Sequence, residues 1–235
     1  MAASVLSSSQ QQALAAMGIE QWLLRNSDDS DNARDSEKII QAPVDLEMSQ
    51  RCSELNARIS ACTQCDLHKS RTQAVCGVGA LNAECLIIGE APGTEEDREG
   101  EPFVGRSGKL LNEMLRAIGL ERRAVFIANV IKCRPPDNRD PLPEERSACL
   151  PFLEEQIQLL QPRVILVVGR IAAQTLLQND TAIGRMRGKV YSYGEAEIPV
   201  VVTYHPAYLL RSPDQKAKSW ADLLLAKDVL EGVAS

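Results

Sequence analysis

Two groups of residues in this 235-residue sequence carry side chains suited to chemistry. The first is a set of thiols: Cys62-Thr63-Gln64-Cys65 puts two on one tight turn, and Cys133 and Cys149 form a second pair with fifteen residues between them. Four soft ligands suit zinc or an iron-sulfur cluster. A zinc site usually takes two compact pairs, so the wide second spacing, which crosses Arg134-Pro135-Pro136, favours the cluster. Cys52, Cys76 and Cys85 have no partner at ligand spacing and read as ordinary core cysteines.

The second group is scattered. Glu90 lies in the turn Gly89-Glu90-Ala91-Pro92-Gly93, where a carboxylate can orient water and the backbone can approach a ligand closely. Phe103 sits in the Gly/Pro-rich run Pro102-Phe103-Val104-Gly105, placed to stack on a planar ligand. Asn129 offers a donor and an acceptor on one amide, and His205 offers a ring nitrogen that can meet developing negative charge. Ser107, Gly108 and Lys109 open a helical stretch whose amides can bind phosphate. Each has a plainer alternative: a turn acid for Glu90, core packing for Phe103, a strand-end cap for Asn129, a structural imidazole for His205 and a helix cap for Ser107.

The elements that must position them follow from periodicity. Apolar runs at Glu84 to Ile88, Val125 to Ile131, Val164 to Val168 and Val200 to Thr203 read as buried strands. Helical periods separate them: a helix capped by Ser107 with Leu110, Leu111, Met114, Leu115 and Ile118 on one face and Gly119 at its end, then Pro143 to Leu160, Ile171 to Leu177 and Lys216 to Leu230. This alternation predicts an α/β fold of three α/β/α layers around a central, mainly parallel, four-stranded sheet. Ligands of such sheets bind at the carboxyl ends of strands, where Glu90, Asn129 and His205 are placed.

Taken together, Gly89-Glu90-Ala91-Pro92-Gly93, Pro102-Phe103-Val104-Gly105, Asn129, the four cysteines and His205-Pro206-Ala207-Tyr208-Leu209-Leu210-Arg211 resemble the iron-sulfur uracil-DNA glycosylases, the fourth family of their superfamily. The resemblance spans about Cys62 to Leu230. It implies a monofunctional glycosylase of base excision repair that hydrolyses the N-glycosidic bond of flipped-out uracil and leaves an abasic site. It assigns Cys62, Cys65, Cys133 and Cys149 to a 4Fe-4S cluster, and His205 and Glu90 to catalysis. Gly89, Glu90, Ala91, Phe103, Asn129 and His205 would hold the base, Asn129 pairing with uracil N3-H and O4 where cytosine presents the opposite pattern. Ser107, Gly108, Lys109, Leu209, Leu210 and Arg211 would contact uracil-containing DNA, the last three as a loop of apolar wedges and a cation entering the minor groove. A related branch that captures uracil covalently carries a basic, histidine-containing insert after the second strand; Lys132 to Arg139 contains no histidine, so turnover is expected. No Schiff-base lysine accompanies the motifs, which argues against strand cleavage. The other reading is a non-catalytic iron-sulfur protein that binds DNA or a replication partner.

The net charge of -6 argues against a nucleic-acid partner only in bulk. Residues 1–50 hold three basic groups against eight acidic ones, whereas the remainder holds 23 against 24, with a basic surplus at Arg185, Arg187, Lys189, Arg211, Lys216 and Lys218. The tail, 1–43, reads as an amphipathic helix over Gln10 to Arg25 and a disordered acidic linker over Asn26 to Ser36, ahead of a catalytic domain from Val44 (44–235). Leu14 to Arg25 resembles the peptide by which the psi subunit of the bacterial clamp-loader complex engages chi, which implies a replication partner; packing on its own domain is the alternative. No 18-residue apolar run or signal peptide is visible, so no membrane contact, a cytoplasmic (bacterial cytosol or nucleoid) location and a monomer are expected.

Overall fold

Four runs of β-branched and leucine residues are apolar at consecutive positions, which leaves no polar face for water and drives them to the centre of a covered sheet. The computed structural model describes residues 46–233; the expected helix over 10–25 and the linker over 26–36 lie outside them. The strands are β1 (Val78–Gly79), β2 (Cys85–Gly89), β3 (Phe126–Asn129), β4 (Val164–Val168), β5 (Val190–Tyr193) and β6 (Ile198–Thr203), ordered β1-β3-β2-β4-β6-β5. The four expected strands are the central ones, and all pair in parallel. Two edge strands, β1 and β5, pair antiparallel and extend the sheet to six. Neither is marked by an apolar run: β1 has two residues, and β5 alternates exposed and half-buried positions.

The described helices are α1 (Leu46–Ala61), α2 (Thr94–Glu99), α3 (Arg106–Ala117), α4 (Pro143–Leu160), α5 (Arg170–Leu177), α6 (Ile183–Met186), α7 (Pro206–Arg211) and α8 (Lys216–Leu230). The pleat divides the sheet's side chains into two cores. Leu86, Ile88, Ala128, Ile165 and Val167 meet Leu55 and Ile59 of α1, Phe152, Leu153 and Ile157 of α4, and Leu176 of α5. Ile87, Ile127, Leu166, Val168 and Val201 meet Leu111 and Leu115 of α3 and Leu223 and Ala226 of α8. A one-residue slip of any central strand would exchange its two faces, so the register is held on both sides. Each fully buried Leu or Ile contributes about 1.5–3 kcal/mol. None of the described helices is long and apolar enough to cross a membrane.

Two local expectations are corrected. Gly105, and not Ser107, caps α3; Ser107 lies inside its first turn, because the amides of Val104 and Gly105 are already turned onto the Glu96 carboxylate. At the far end Gly119 adopts φ 84°, and Gly119 and Leu120 donate to the carbonyls of Arg116 and Leu115, closing the helix as expected. Residues 94–99, which have no apolar period to mark them, form α2. Residues 206–211, read as loop, form α7: Pro206 presets its first turn and His205 caps it.

Candidate active site

The carboxyl ends of β2, β3 and β6 bring the scattered group together. Gly89 and Asn129 are register partners at the ends of β2 and β3, and His205 leaves β6 one residue beyond Tyr204. Glu90, Ala91, Phe103, Asn129 and His205 share the wall of one cleft of about 470 Å³, with Ser107 and Arg211 at its margin. Gly89 stands directly behind. A methyl group built there would lie 2.4 Å from Asn129 Oδ1 and 2.7 Å from the Phe103 ring, so only glycine lets the amide and the aromatic pack this closely.

His205 is held in one protonation state. The Ala207 amide donates to its Nδ1 at 3.1 Å, which leaves Nε2 to carry the hydrogen. Burial, with the Arg211 cation adding, pushes the imidazole down to about 4, so it is neutral at pH 7. It is a donor without charge. The ring lies 5.5 Å from that of Phe103 at an interplanar angle of 29°.

Asn129 is 2% exposed, and its Oδ1 has no hydrogen-bond partner. An orphaned buried acceptor costs roughly 1–3 kcal/mol and calls for a donor from outside the fold. Phe103 is buried with φ 55°, an uncommon conformation for an aromatic residue. Two devices hold it there. Arg122 donates to the carbonyls of Pro102 (2.6 Å) and Phe103 (3.3 Å), and α3 approaches so closely that a Cβ at Gly108 would sit 1.7 Å from the Phe103 carbonyl oxygen.

Three further acids, Glu95, Glu96 and Asp97, follow Glu90 in the sequence, and the four separate by their partners. Glu96 accepts from the amides of Gly93 (3.1 Å), Val104 (3.0 Å) and Gly105 (3.1 Å), stapling the loop that carries Phe103. Asp97 accepts from the Thr72 amide at 2.9 Å, and Glu95 pairs with Arg98. Glu90 alone faces the cleft without a hydrogen-bond partner for its carboxyl group among the described residues. Burial, reinforced by Asp140 and opposed by Arg170 and Arg146, pushes it up to about 7. Among the described residues no lysine lines the cleft.

The residues expected to meet DNA do not behave alike. Ser107 lines the cleft, and the Ser107 and Gly108 amides lie in the first turn of α3, where no intrahelical acceptor exists. The Lys109 amide is taken by the Gly105 carbonyl at 3.0 Å, which leaves only its exposed side chain for contact. Leu209 is 1% exposed and belongs to the core, which removes it as a wedge; Leu210 (38%) and Tyr208 (36%) are the exposed apolar side chains of α7. Successive residues of a helix point in different directions, and here α7 turns Leu209 onto the core and Leu210 outward. Tyr208 was legible in the same motif but carried no signal of exposure.

The second constellation lies behind the sheet. Cys62 follows α1, Cys65 precedes a short 3-10 turn, Cys133 leaves β3, and Cys149 stands inside α4. All four line one pocket, while Cys52, Cys76 and Cys85 do not, and every described cysteine is free of disulfides. Among the described residues no three Cys, His, Asp or Glu side chains converge tightly enough to hold a single ion. Four thiols line one pocket, and four soft thiolates are the ligand set that iron-sulfur clusters take. Two sulfurs already have donors: Arg71 Nη1 to Cys133 Sγ at 3.0 Å and the Lys132 amide to Cys149 Sγ at 3.3 Å. The donor set fits an iron-sulfur cluster. Burial pushes the metal-free Cys149 thiol up to about 11, so metal binding there must displace a proton.

Sequence reasoning passed over Lys132. It is 1% exposed, lies between the cleft and the cysteine pocket, and donates from Nζ to the Asn129 carbonyl at 2.7 Å and Gln156 Oε1 at 2.6 Å. Burial pushes its ammonium down to about 8. A lone lysine beside a cysteine in sequence carries no mark of such burial.

Residues 76–224 match the family described as the uracil DNA glycosylase superfamily. The chain is 47% identical over 171 residues to the type-4 uracil-DNA glycosylase of Archaeoglobus fulgidus, covering 70% of this chain and 85% of that protein. It is 45% identical over 161 residues to the type-4 enzyme of Thermotoga maritima, covering 67% and 82%. It is 31% identical over 148 residues to the type-5 uracil-DNA glycosylase of Pyrobaculum aerophilum, covering 56% and 64%.

Proposed function

Because the chain belongs to the uracil-DNA glycosylase superfamily, excising uracil from DNA as an enzyme of DNA repair, we propose how its own residues divide that work. The observation that carries the assignment is the orphaned Oδ1 of Asn129, buried beside a neutral imidazole in the same cleft. Uracil N3-H supplies the donor that Oδ1 lacks, and the Asn129 amide NH₂ donates to O4. Cytosine has an unprotonated N3 and would leave two acceptors facing each other, which is the basis of discrimination.

Phe103 stacks on the base and His205 Nε2-H donates to uracil O2. As the C1′–N1 bond breaks, its electron pair passes to the base, and the His205 donor meets the charge that accumulates on O2. Glu90 orients the water whose oxygen bonds to C1′; the carboxylate takes the water's proton, that proton neutralises the uracil anion by way of solvent, and the products are an abasic sugar and uracil. A neutral His205 keeps its Nε2-H throughout, and the hydrogen bond it donates strengthens as negative charge accumulates on O2. With no lysine lining the cleft among the described residues, no Schiff base to C1′ forms and the strand is left intact.

Ser107 and Gly108 amides and the Lys109 and Arg211 side chains contact the DNA backbone around the flipped nucleotide, with Leu210 and Tyr208 as the apolar filler of the vacated stack. Cys62, Cys65, Cys133 and Cys149 would hold a 4Fe-4S cluster, which when bound supplies a rigid cross-link and a one-electron redox centre. Such an enzyme works where its substrate lies, in the bacterial cytosol or nucleoid.

Incubation with a uracil-containing oligonucleotide followed by alkali tests the reading: strand breaks at uracil and none at cytosine are expected. Absence of alkali-labile sites from iron-replete protein would overturn it. His205→Asn keeps a polar side chain but misplaces the donor, and a loss of about 10²–10³ in rate is expected with folding intact.

A further inference from the structure

Lys132 is the bulkiest of the fully buried side chains, and it is a cation. Leaving an ammonium buried without an opposite charge costs several kcal/mol. The buried carboxylates are all committed elsewhere: Glu96 to backbone amides, Asp97 to Thr72, Glu145 to Arg139 and Asp222 to Arg187. The acceptors that Lys132 does have, the Asn129 carbonyl and Gln156 Oε1, are neutral. Among the described residues the neighbours that can become negative are thiols: Cys149 Sγ accepts from the Lys132 amide, Cys133 is the next residue and shares the pocket that Lys132 lines, and Cys76, outside that pocket, is near as well.

We propose that Lys132 is the counter-charge of the cysteine-held cluster and, through the same ammonium, the brace of the Asn129 peptide that reads uracil. Four thiolates around a cluster carry net negative charge, and Lys132 is the buried cation placed to offset it. The ammonium also fixes the carbonyl of Asn129 while that residue's side chain lines the cleft, so cluster and base-reading amide share one five-residue segment, Asn129 to Cys133. Lys132 is therefore a positioning residue: it touches neither the base nor the sugar. The inference rests on the cluster reading above, and it makes a demand of its own, that the charge of Lys132 be felt at both ends.

The test uses the full chain, purified with its metal, and Lys132→Met, which keeps the length of the side chain without charge or donor. Removing a positive charge beside the cluster disfavours its reduction, so the midpoint potential should shift to a more negative value in a spectroscopic redox titration. Uracil excision should fall about tenfold in the same iron-replete protein, because small misplacements of a positioned group are costly in rate. Gln156→Glu is the second variant, for the case that Lys132→Met does not fold: it retains an acceptor for Nζ and adds the missing carboxylate, and the same negative shift is expected. Zinc, or no metal, in the wild-type protein would remove the cluster reading and this inference together. An iron-replete variant with an unmoved midpoint would overturn the inference alone, whether or not its melting temperature had dropped.

Discussion

Replacing Gly89 by alanine probes the packing of the cleft with a single methyl group. The backbone at Gly89 is ordinary strand, paired in register with Asn129, so alanine meets no conformational penalty. The cost is spatial. The new Cβ would stand 2.4 Å from Asn129 Oδ1 and 2.7 Å from Phe103 Cε2 and Cζ, and ordinary contact requires about 3.4 Å or more. Relief therefore moves the reading amide or the stacking ring by about 1 Å, a misplacement that costs about 10² in rate, equivalent to about 2.7 kcal/mol of transition-state stabilisation. Overpacking costs about 1–3 kcal/mol of fold stability at the same time, so single-turnover excision must be measured on protein shown to be folded by its melting curve. Gly119→Ala is the control: its φ of 84° makes alanine costly to stability, by about 1 kcal/mol, but nothing lies within 4 Å of the new methyl and no rate change is expected. Full-rate excision by folded Gly89→Ala protein would refute the idea that Asn129 and Phe103 work in the positions seen here.

Glu90 carries a pH signature: its folded carboxyl is raised to about 7, so the stability it contributes is complete below its unfolded value near 4.5 and is lost as pH rises through about 7. Glu90→Gln should therefore melt higher than wild type above pH 7, excise slowly, and lose the rise in kcat/KM through about pH 7 that the ionised carboxylate gives the wild-type enzyme. The two adjacent leucines of α7 should part company: Leu209→Ala costs about 2–5 kcal/mol of stability, whereas Leu210→Ala leaves melting unchanged and weakens binding to duplex uracil DNA. Deleting residues 1–40 should leave excision intact and tests the docking expectation for the tail: unchanged association with replication proteins in a pull-down would refute it.

What could be read without coordinates was whatever is periodic along the chain. The run Val164–Val168 is a strand and Pro143–Leu160 a helix at the expected bounds, because burial on both faces or on one stripe is written into consecutive residues. The motif residues were equally visible, since glycine, proline and histidine keep their chemistry wherever they lie. The polar helix α1 was not legible: only Leu55 and Ile59 of its sixteen residues are buried, too few for a period. Nor were the edge strands: β1 is two residues long and pairs with β3, far along the chain, and β5, although it pairs with its neighbour β6, alternates exposed and half-buried positions without an apolar run. Above all, the division of labour among like residues was decided in three dimensions. Glu90, Glu96 and Asp97 are alike as acids in the sequence; backbone amides from residues 72, 93, 104 and 105 occupy the last two and leave the Glu90 carboxyl without such a partner. Leu209 and Leu210 differ only in the direction a helix turns them. Lys132 became a candidate for the link between cysteine pocket and reading amide only once β3 had carried Asn129, and α4 had carried Cys149 and Gln156, to the same place. Composition and spacing determine which chemistry is available, while the tertiary structure decides which atoms are already satisfied and which are left to act.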